Sequence, residues 1–338
     1  MKIRQILCRG VVLTRTQQRS ASRRRPCDRA RKIPRVGSQR REYIILSIAC
    51  ATMMEPAAEE HDEWTIRRHL AATYRICDKL GLNEGVCNHL SALLPGEPFR
   101  FLVIRYGLAW DEVTAENLVA CDLNGNIVAG KGPVEVTAMR IHAAVHMSDP
   151  SKYRCVLHTH MPFTSALCST DRFELSMCHQ NSLKFFRDIA YDREYHGLVM
   201  DPNEGSRLAA AMDGKTCLLH RCHGPIVTGP SVATAFDNLY YLERAAQVQV
   251  LAMGTTAAGG GALCKVSEED ARRTKAQMDG ELEYNARCHL AARIRELERT
   301  DRAAAGAAWP SASAALASGL ALGALFGFAL RSSLSCRV

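Results

Sequence analysis

Two apolar runs, each closing on histidine, limit what this chain can fold into. The first is Cys155-Val156-Leu157-His158-Thr159-His160, and the second is Leu218-Leu219-His220-Arg221-Cys222-His223-Gly224. Read as a β-strand, the first run places residues two apart on one face, so His158 and His160 enter the same space. A His-x-His pair alone fits a polar strand end equally well. The second run supplies a third imidazole, His223, and Gly224 gives the backbone freedom to turn away behind it. Three neutral imidazoles around Zn²⁺, or another divalent ion, leave an open coordination position, as catalytic sites do. Such a site requires residues more than sixty positions apart to lie side by side.

The surrounding pattern is that of an α/β domain. Leu70, Tyr74, Cys77 and Leu80 recur at helical spacing after a Ser/Thr-type cap at Thr65, and Gly81 ends the run. A turn-rich segment holding Asn88 and Ser91 follows. Residues 99–104 and 118–123 read as strands, with Asn124-Gly125 as a hairpin turn before Ile127-Val128. Residues 134–147 read as a helix on which His142 and His146, four apart, share a face. Packing or hydrogen bonding suits these two histidines better than metal ligation. Residues 183–191 fit neither period. A helix over 203–212 precedes the strand 216–219 that delivers His223. Ser231 caps a long helix reaching Met253, with Ala235, Leu239, Leu242, Ala246 and Val250 on its apolar stripe. Residues 255–262, rich in Gly and Ala, read as a linker. Ser267, followed by Glu268, Glu269 and Asp270, announces a charged helix to about Arg302.

The ends differ in composition from the middle. Of the 338 residues, carrying net charge +8, the first 42 hold fourteen Lys or Arg against only Asp28 and Glu42, so the remainder is mildly acidic. The overall basic balance therefore gives no reason to expect nucleic-acid binding by the central domain. Residues 1–54 are expected to be disordered. Three readings of that segment stay open: an organellar transit peptide, a basic tail for acidic partners, or an upstream extension of a chain that starts at Met53 or Met54. Near the other end, residues 312–330 contain no charged side chain, and 19 helical residues span roughly 28 Å, about a bilayer core. Gly319, Gly323 and Gly327 fall four apart within it, a spacing that lets two membrane helices approach closely. The expectation is a C-terminal membrane anchor on a cytoplasmic protein, against the alternatives of a low-complexity tail or organellar import. The 14 cysteines are scattered, without a Cys-x-x-Cys pair, and read as free thiols in a reducing compartment.

From about Thr65 to about Met253 the chain resembles the class II aldolase/adducin family. The resemblance is carried, in order, by Leu70-Ala71-Ala72-Thr73-Tyr74-Arg75, Phe101-Leu102-Val103-Ile104-Arg105-Tyr106-Gly107-Leu108, Asp111-Glu112-Val113-Thr114, Asp122-Leu123-Asn124-Gly125, Ile141-His142-Ala143-Ala144-Val145-His146, His158-Thr159-His160 and His223-Gly224. It implies a three-layer α/β/α sandwich around a mainly antiparallel sheet over residues 60–256, with 266–302 as a charged helical extension. It also implies a homo-oligomer, commonly a tetramer with active sites at subunit boundaries. His158, His160 and His223 would hold Zn²⁺ or another divalent ion. The implied chemistry is retro-aldol cleavage of a small hydroxy-carbonyl, sugar-like compound through an enediolate, or the related epimerase and decarboxylase reactions. One departure matters. The sugar-phosphate aldolases carry a catalytic glutamate four residues before the histidine corresponding to His142, and here that position is Ala138. Glu135 is the candidate to replace it; Asn88 and Thr137 are the candidate substrate-binding residues, and the phosphate-binding serine pair is not reproduced. The resemblance also admits a second expectation, a non-enzymatic adducin-like cytoskeletal or membrane scaffold. The intact histidine triad favours the enzyme.

Overall fold

The computed structural model describes residues 55–197 and 202–306. The basic segment 1–54 and the uncharged stretch 312–330 lie outside the described residues. Among the described residues no helix is long and apolar enough to cross a membrane.

The elements are α1 (Glu63–Lys79), β1 (His89–Leu93), β2 (Arg100–Val103), β3 (Val119–Asp122), β4 (Ile127–Ala129), α2 (Val136–Ser148), β5 (Cys155–His158), α3 (Pro162–Cys168), α4 (Gln180–Leu183), β6 (Ile189–Asp192), α5 (Pro202–Ala211), β7 (Cys217–His220), β8 (Pro225–Gly229), α6 (Val232–Thr255), α7 (Glu268–Asp279) and α8 (Leu282–Gly306). Eight strands make one sheet in the order β4-β3-β2-β1-β5-β8-β7-β6. Every neighbouring pair is antiparallel except β6–β7, which is parallel. Helix α6 packs on β5 and β8, with α1, α3 and α8 around it, while α2 and α5 pack together on the other side, over β1, β5 and β6. This is the three-layer sandwich expected from the resemblance.

The period of two along the central strands sorts side chains between the layers. In β5, Cys155 and Leu157 join the apolar cluster under α6, whereas Val156 joins the smaller cluster under α2 and α5. In β7, Leu219 and Leu218 divide the same way, as do Val227 and Ile226 in β8. Ala235, Leu239, Leu242 and Ala246 of α6, placed on its apolar stripe by their spacing, are fully buried. At about 25 cal/mol per Å² of apolar surface removed from water, a Leu side chain buried in this way contributes roughly 1.5–3 kcal/mol.

The helix starts follow capping chemistry. The Ser231 hydroxyl accepts from the Thr234 amide at 3.1 Å, and Ser267 accepts from the Asp270 amide at 3.1 Å. At α1 the cap is not Thr65 but Asp62, whose Oδ1 accepts from the Thr65 amide at 2.9 Å. Asp62 lies outside the apolar repeat that defines the helix, so the repeat alone places the start too late. The turn-rich reading of Asn88 to Ser91 is also corrected, because His89–Leu93 is strand β1, paired with β2 on one side and β5 on the other. All five of its residues are buried. A strand covered on both faces shows no alternation to read. Tyr74 of α1 holds it from behind, its hydroxyl donating to the Leu90 carbonyl at 2.5 Å and accepting from the Leu90 amide at 2.7 Å. The expected linker after α6 begins as a helical turn, Thr256–Gly260, broken at Gly259 with φ 94°. The charged extension falls into the two helices α7 and α8.

Candidate metal centre

His158 ends β5, and His160 lies two residues on, just past the strand. His223 sits in the turn between β7 and β8. Since β8 pairs with β5 and places Ile226 beside His158, the sheet itself carries the turn to the end of β5. The ring centroids are 5.1 Å apart for His158–His160 and 4.8 Å for both His158–His223 and His160–His223. One ring nitrogen from each lies within 4.8 Å of the others. Zinc–nitrogen bonds of about 2.0–2.1 Å ask for about 3–4 Å between ligand nitrogens, so small ring rotations close the triad.

The far side of two of these rings is already occupied, which fixes the lone pair on the near side. His158 donates from Nδ1 to the Pro225 carbonyl at 2.9 Å. His160 meets the Glu84 carboxylate through Nδ1 at 2.5 Å. Its Nε2 is buried without a hydrogen-bond partner. An orphaned buried nitrogen costs about 1–3 kcal/mol, a cost that a bound cation removes. A carboxylate or carbonyl behind an imidazole is also the arrangement that orients a metal ligand. Thus the donor set fits a divalent ion.

Electrostatics agree with neutral rings at His158 and His223. Burial holds His158 well below the usual imidazole pKa, with further depression from His223, His89 and His160. His223 is lowered to about 3, again chiefly by burial and then by His160. Neutral imidazole is the ligand form.

Neighbouring elements fix the backbone of the triad. The side-chain carbonyl of Asn88 accepts from the Glu84 amide at 2.7 Å and from the His160 amide at 3.1 Å, tying the Glu84 loop to His160. Its Nδ2 is a buried donor without a partner. Thr159 Oγ1 and Ser165 Oγ, close by in sequence, are orphaned in the same way. Helix α3 begins directly after His160, and Glu243 of α6 accepts from the Phe163 and Thr164 amides at its N-terminus, at 2.8 and 2.9 Å. Gly224 is required for a reason other than the turn. The left-handed residue is Cys222, with φ 53°. A Cβ on Gly224 would lie 2.7 Å from the Thr159 carbonyl and 3.4 Å from the His160 ring, so only glycine lets the two segments approach.

The other sequence candidates are placed differently. Glu135 is the N-cap of α2, its Oε2 accepting from the Ala138 amide at 2.7 Å. It remains close enough for its charge to raise the pKa of His89 against the lowering caused by burial. Thr137 lies in the first turn of α2, and its side chain is outside the described residues. His142 and His146 are buried and hydrogen-bonded, as their shared helix face suggested, and stand outside the triad.

Three groups at the site have no clear sequence signal. His89 of β1 is paired in register with His158, and their rings are 5.1 Å apart. Burial lowers its pKa to about 4. Glu84 belongs to an exposed loop, and only the fold shows that it backs His160. Asp192 at the end of β6 takes the Nδ1 proton of His220 at 2.7 Å and a bidentate Arg207 guanidinium at 2.9 and 2.7 Å. Burial pushes the Asp192 carboxyl up, but the hydrogen bonds and charges of His220 and Arg207 outweigh it and hold it well below the usual carboxylate range. The His220 ring lies 5.1 Å from that of His223. The apolar run ending in His220 was visible; its carboxylate partner came from a segment with no clear period.

Known proteins share this fold. The family model of the class II aldolase and adducin N-terminal domain matches residues 68–250, more than half of the chain. A protein of Caulobacter vibrioides named after the class 2 aldolases is 32% identical over 207 residues, covering 61% of this chain and 79% of the relative. Alpha-adducin of Mus musculus is 32% identical over 208 residues, 60% of this chain but only 27% of the adducin. Among solved structures, an aldolase II superfamily protein from Pseudomonas syringae superimposes with TM-score 0.65 at 31% identity, over 72% of this chain and 95% of that one. An L-fuculose 1-phosphate aldolase from Glaciozyma antarctica shares the fold with TM-score 0.62 at 23% identity, over 74% and 98%. The chain belongs to the class II aldolase/adducin family.

Proposed function

We propose that this protein is a divalent-metal-dependent lyase of the aldolase type, acting on a small hydroxy-carbonyl, sugar-like compound, with Zn²⁺ as the ion. The observation that carries this reading is the triad itself: three converging imidazoles, two of them held from behind by Pro225 and Glu84, with His160 Nε2 buried and unpartnered. A bound divalent ion supplies Lewis-acid polarisation of the carbonyl and stabilises the negative charge of an enediolate. In retro-aldol cleavage a substrate hydroxyl loses its proton, the adjoining carbon–carbon bond breaks, and its electron pair becomes the enediolate, which is then protonated. The buried amide donor of Asn88 suits a substrate oxygen. Glu135 is the acid available near Ala138, and Glu135→Gln keeps a capping acceptor while removing the charge. An unchanged kcat in that variant excludes Glu135 as the base.

The experiment is elemental analysis of the purified protein together with proton exchange at the hydroxymethyl carbon of dihydroxyacetone in D₂O. About one divalent ion per chain and metal-dependent exchange support the enzyme. Metal-replete protein without exchange or turnover places the scaffold reading ahead. That second reading is favoured by one observation, the 32% identity to alpha-adducin of Mus musculus. A homo-oligomer, and cytoplasmic placement with residues 312–330 as an anchor, belong to the same proposal. Gel filtration tests the first, and resistance of the full-length chain to alkaline carbonate tests the second.

A further inference from the structure

Behind His158, on the α2 side of the sheet, a run of buried polar groups leads away from the triad. His89 Nδ1 meets His142 Nε2 at 2.7 Å. His142 Nδ1 meets the Ser91 hydroxyl, which meets His146 Nε2 at 2.7 Å. His146 Nδ1 ends the run on the Tyr153 carbonyl at 2.6 Å. All four side chains are buried, at no more than 3% exposure. Strand pairing explains the placement: His89 and Ser91 sit opposite His158 and Val156, so they share the face that α2 covers. His142 and His146 come down from α2 to meet them.

The terminal carbonyl decides every proton in this run. A carbonyl only accepts, so His146 Nδ1 carries a hydrogen and, in the neutral ring, Nε2 carries the lone pair. Burial lowers the His146 pKa to about 4 and holds His142 well below the usual value, so both rings are neutral at pH 7. Ser91 must therefore donate its one hydrogen to His146, and so it accepts from His142 Nδ1. His142 Nε2 then carries a lone pair and accepts from His89 Nδ1. In the neutral ring, the remaining nitrogen of His89, Nε2, then has no hydrogen.

We propose that His89, His142, Ser91 and His146 form a one-way hydrogen-bond relay that locks His89 as its Nδ1–H tautomer and offers Nε2, beside the triad, as the acceptor for a substrate hydroxyl. This rests on the metal-lyase reading for the presence of a substrate, but the tautomer itself does not. His89 is the residue that touches substrate; His142, Ser91 and His146 are positioning residues. The relay also sets a preference. A hydroxyl can donate to the bare nitrogen, whereas a carboxylate or phosphoryl oxygen has no hydrogen to give and would face lone pair against lone pair. The substrate class is thereby narrowed to compounds with an un-ionised hydroxyl next to the metal-binding oxygens.

The test uses full-length, zinc-loaded protein with ¹⁵N-labelled histidine. His89 is assigned by its loss in His89→Phe, and its tautomer is read from the ¹⁵N shifts and two-bond couplings. The expected result is a proton on Nδ1 and none on Nε2, giving way to a tautomer mixture in Ser91→Ala. A proton on Nε2 in the wild-type protein overturns the proposal whatever the activity, and this arm needs no variant that might fail to fold. Binding of glycolate and acetate is then compared by calorimetry. The preference for glycolate should fall about fivefold in His89→Phe, the worth of one hydrogen bond, and be largely restored in His89→Gln, which again offers an acceptor. An unchanged preference in both variants overturns the role of His89. If neither anion binds the zinc-loaded protein while the tautomer is as stated, the lyase reading fails and the relay stands as structure alone.

Discussion

The two faces of the central sheet are built from the same strands by opposite rules. Toward α6, the residues contributed by β5, β7 and β8 are Cys155, Leu157, Cys217, Leu219 and Val227, packed under a helix that presents Ala235, Leu239, Leu242 and Ala246 to the same apolar cluster. Toward α2 and α5, the same strands alternate into Val156, Leu218 and Ile226, and then His158 and His220. The first face is held mainly by contact area, with a few buried hydrogen bonds such as that from Asn238 Nδ2 to the Thr228 carbonyl at 3.0 Å. The second mixes a small apolar patch with imidazoles, a serine and an Asp–Arg pair, each of which must find a hydrogen-bond partner or cost free energy. One face therefore carries most of the apolar packing, and the other carries buried polar groups, His158 of the histidine triad among them.

The sharpest way to break this division is at the triad. His160→Ala should abolish metal retention, a loss of more than about a hundredfold in affinity, since even outer partners of metal ligands are worth 10–100-fold. Dialysis followed by elemental analysis checks it, and circular dichroism should be unchanged. A comparable metal content in the variant would show that the second face does not bind through this set. On the first face, Leu239→Ala should leave metal affinity intact and lower unfolding free energy by about 2–5 kcal/mol, the cost of a large-to-small change in a closed core. Urea unfolding measures it, and a variant with weakened metal binding but normal stability would reverse the assignment of the faces.

Acid should also separate the two. His89 and His146, at about 4, and His223, at about 3, are neutral in the folded chain near pH 5, whereas an unfolded histidine near 6.5 is mostly protonated. Between those values the unfolded state binds more protons, so stability must fall as pH drops from about 6.5 toward 4, by an amount on the order of a few kcal/mol. Metal-free protein unfolded by urea at a series of pH values reads this directly. A flat profile would mean that the histidines are not buried neutral. A smaller effect is expected from Glu84→Gln, which keeps an acceptor behind His160 but removes its charge. Metal affinity should drop by about tenfold, with melting temperature unchanged.

The difference between the faces also governs what the sequence discloses. Leu239 and its neighbours on α6 repeat at helical spacing, so that element and its cap at Ser231 are legible. His158, His160 and His223 are legible because each sits where an apolar run stops. His89 and Ser91 are hidden within a strand that is apolar or small on both sides, and a five-residue segment without alternation offers nothing to separate it from a turn. The Asp192–His220 pair depends on β6 lying parallel to β7, and the carboxylate of Glu84 reaches His160 only once β1 has paired with β5. Hydrogen bonds between residues far apart in sequence leave no local pattern. The helix cap at Glu135 has a local pattern, but the same acid beside Ala138 reads as a replacement base.

The register of β5 against β8 also has a kinetic meaning. His158 and His223 meet only because residues 155–158 pair with residues 226–229, a contact that closes a loop of about seventy residues. Pairings of such long sequence separation form slowly and late. During refolding, zinc uptake should therefore lag behind the appearance of helix signal and coincide with completion of the sheet. Under the proposed metal-binding reading, the ion would then act as a latch on the finished molecule, adding stability in proportion to the logarithm of its free concentration and slowing unfolding. A newly made chain would be most vulnerable to aggregation and proteolysis in the interval before that register is set.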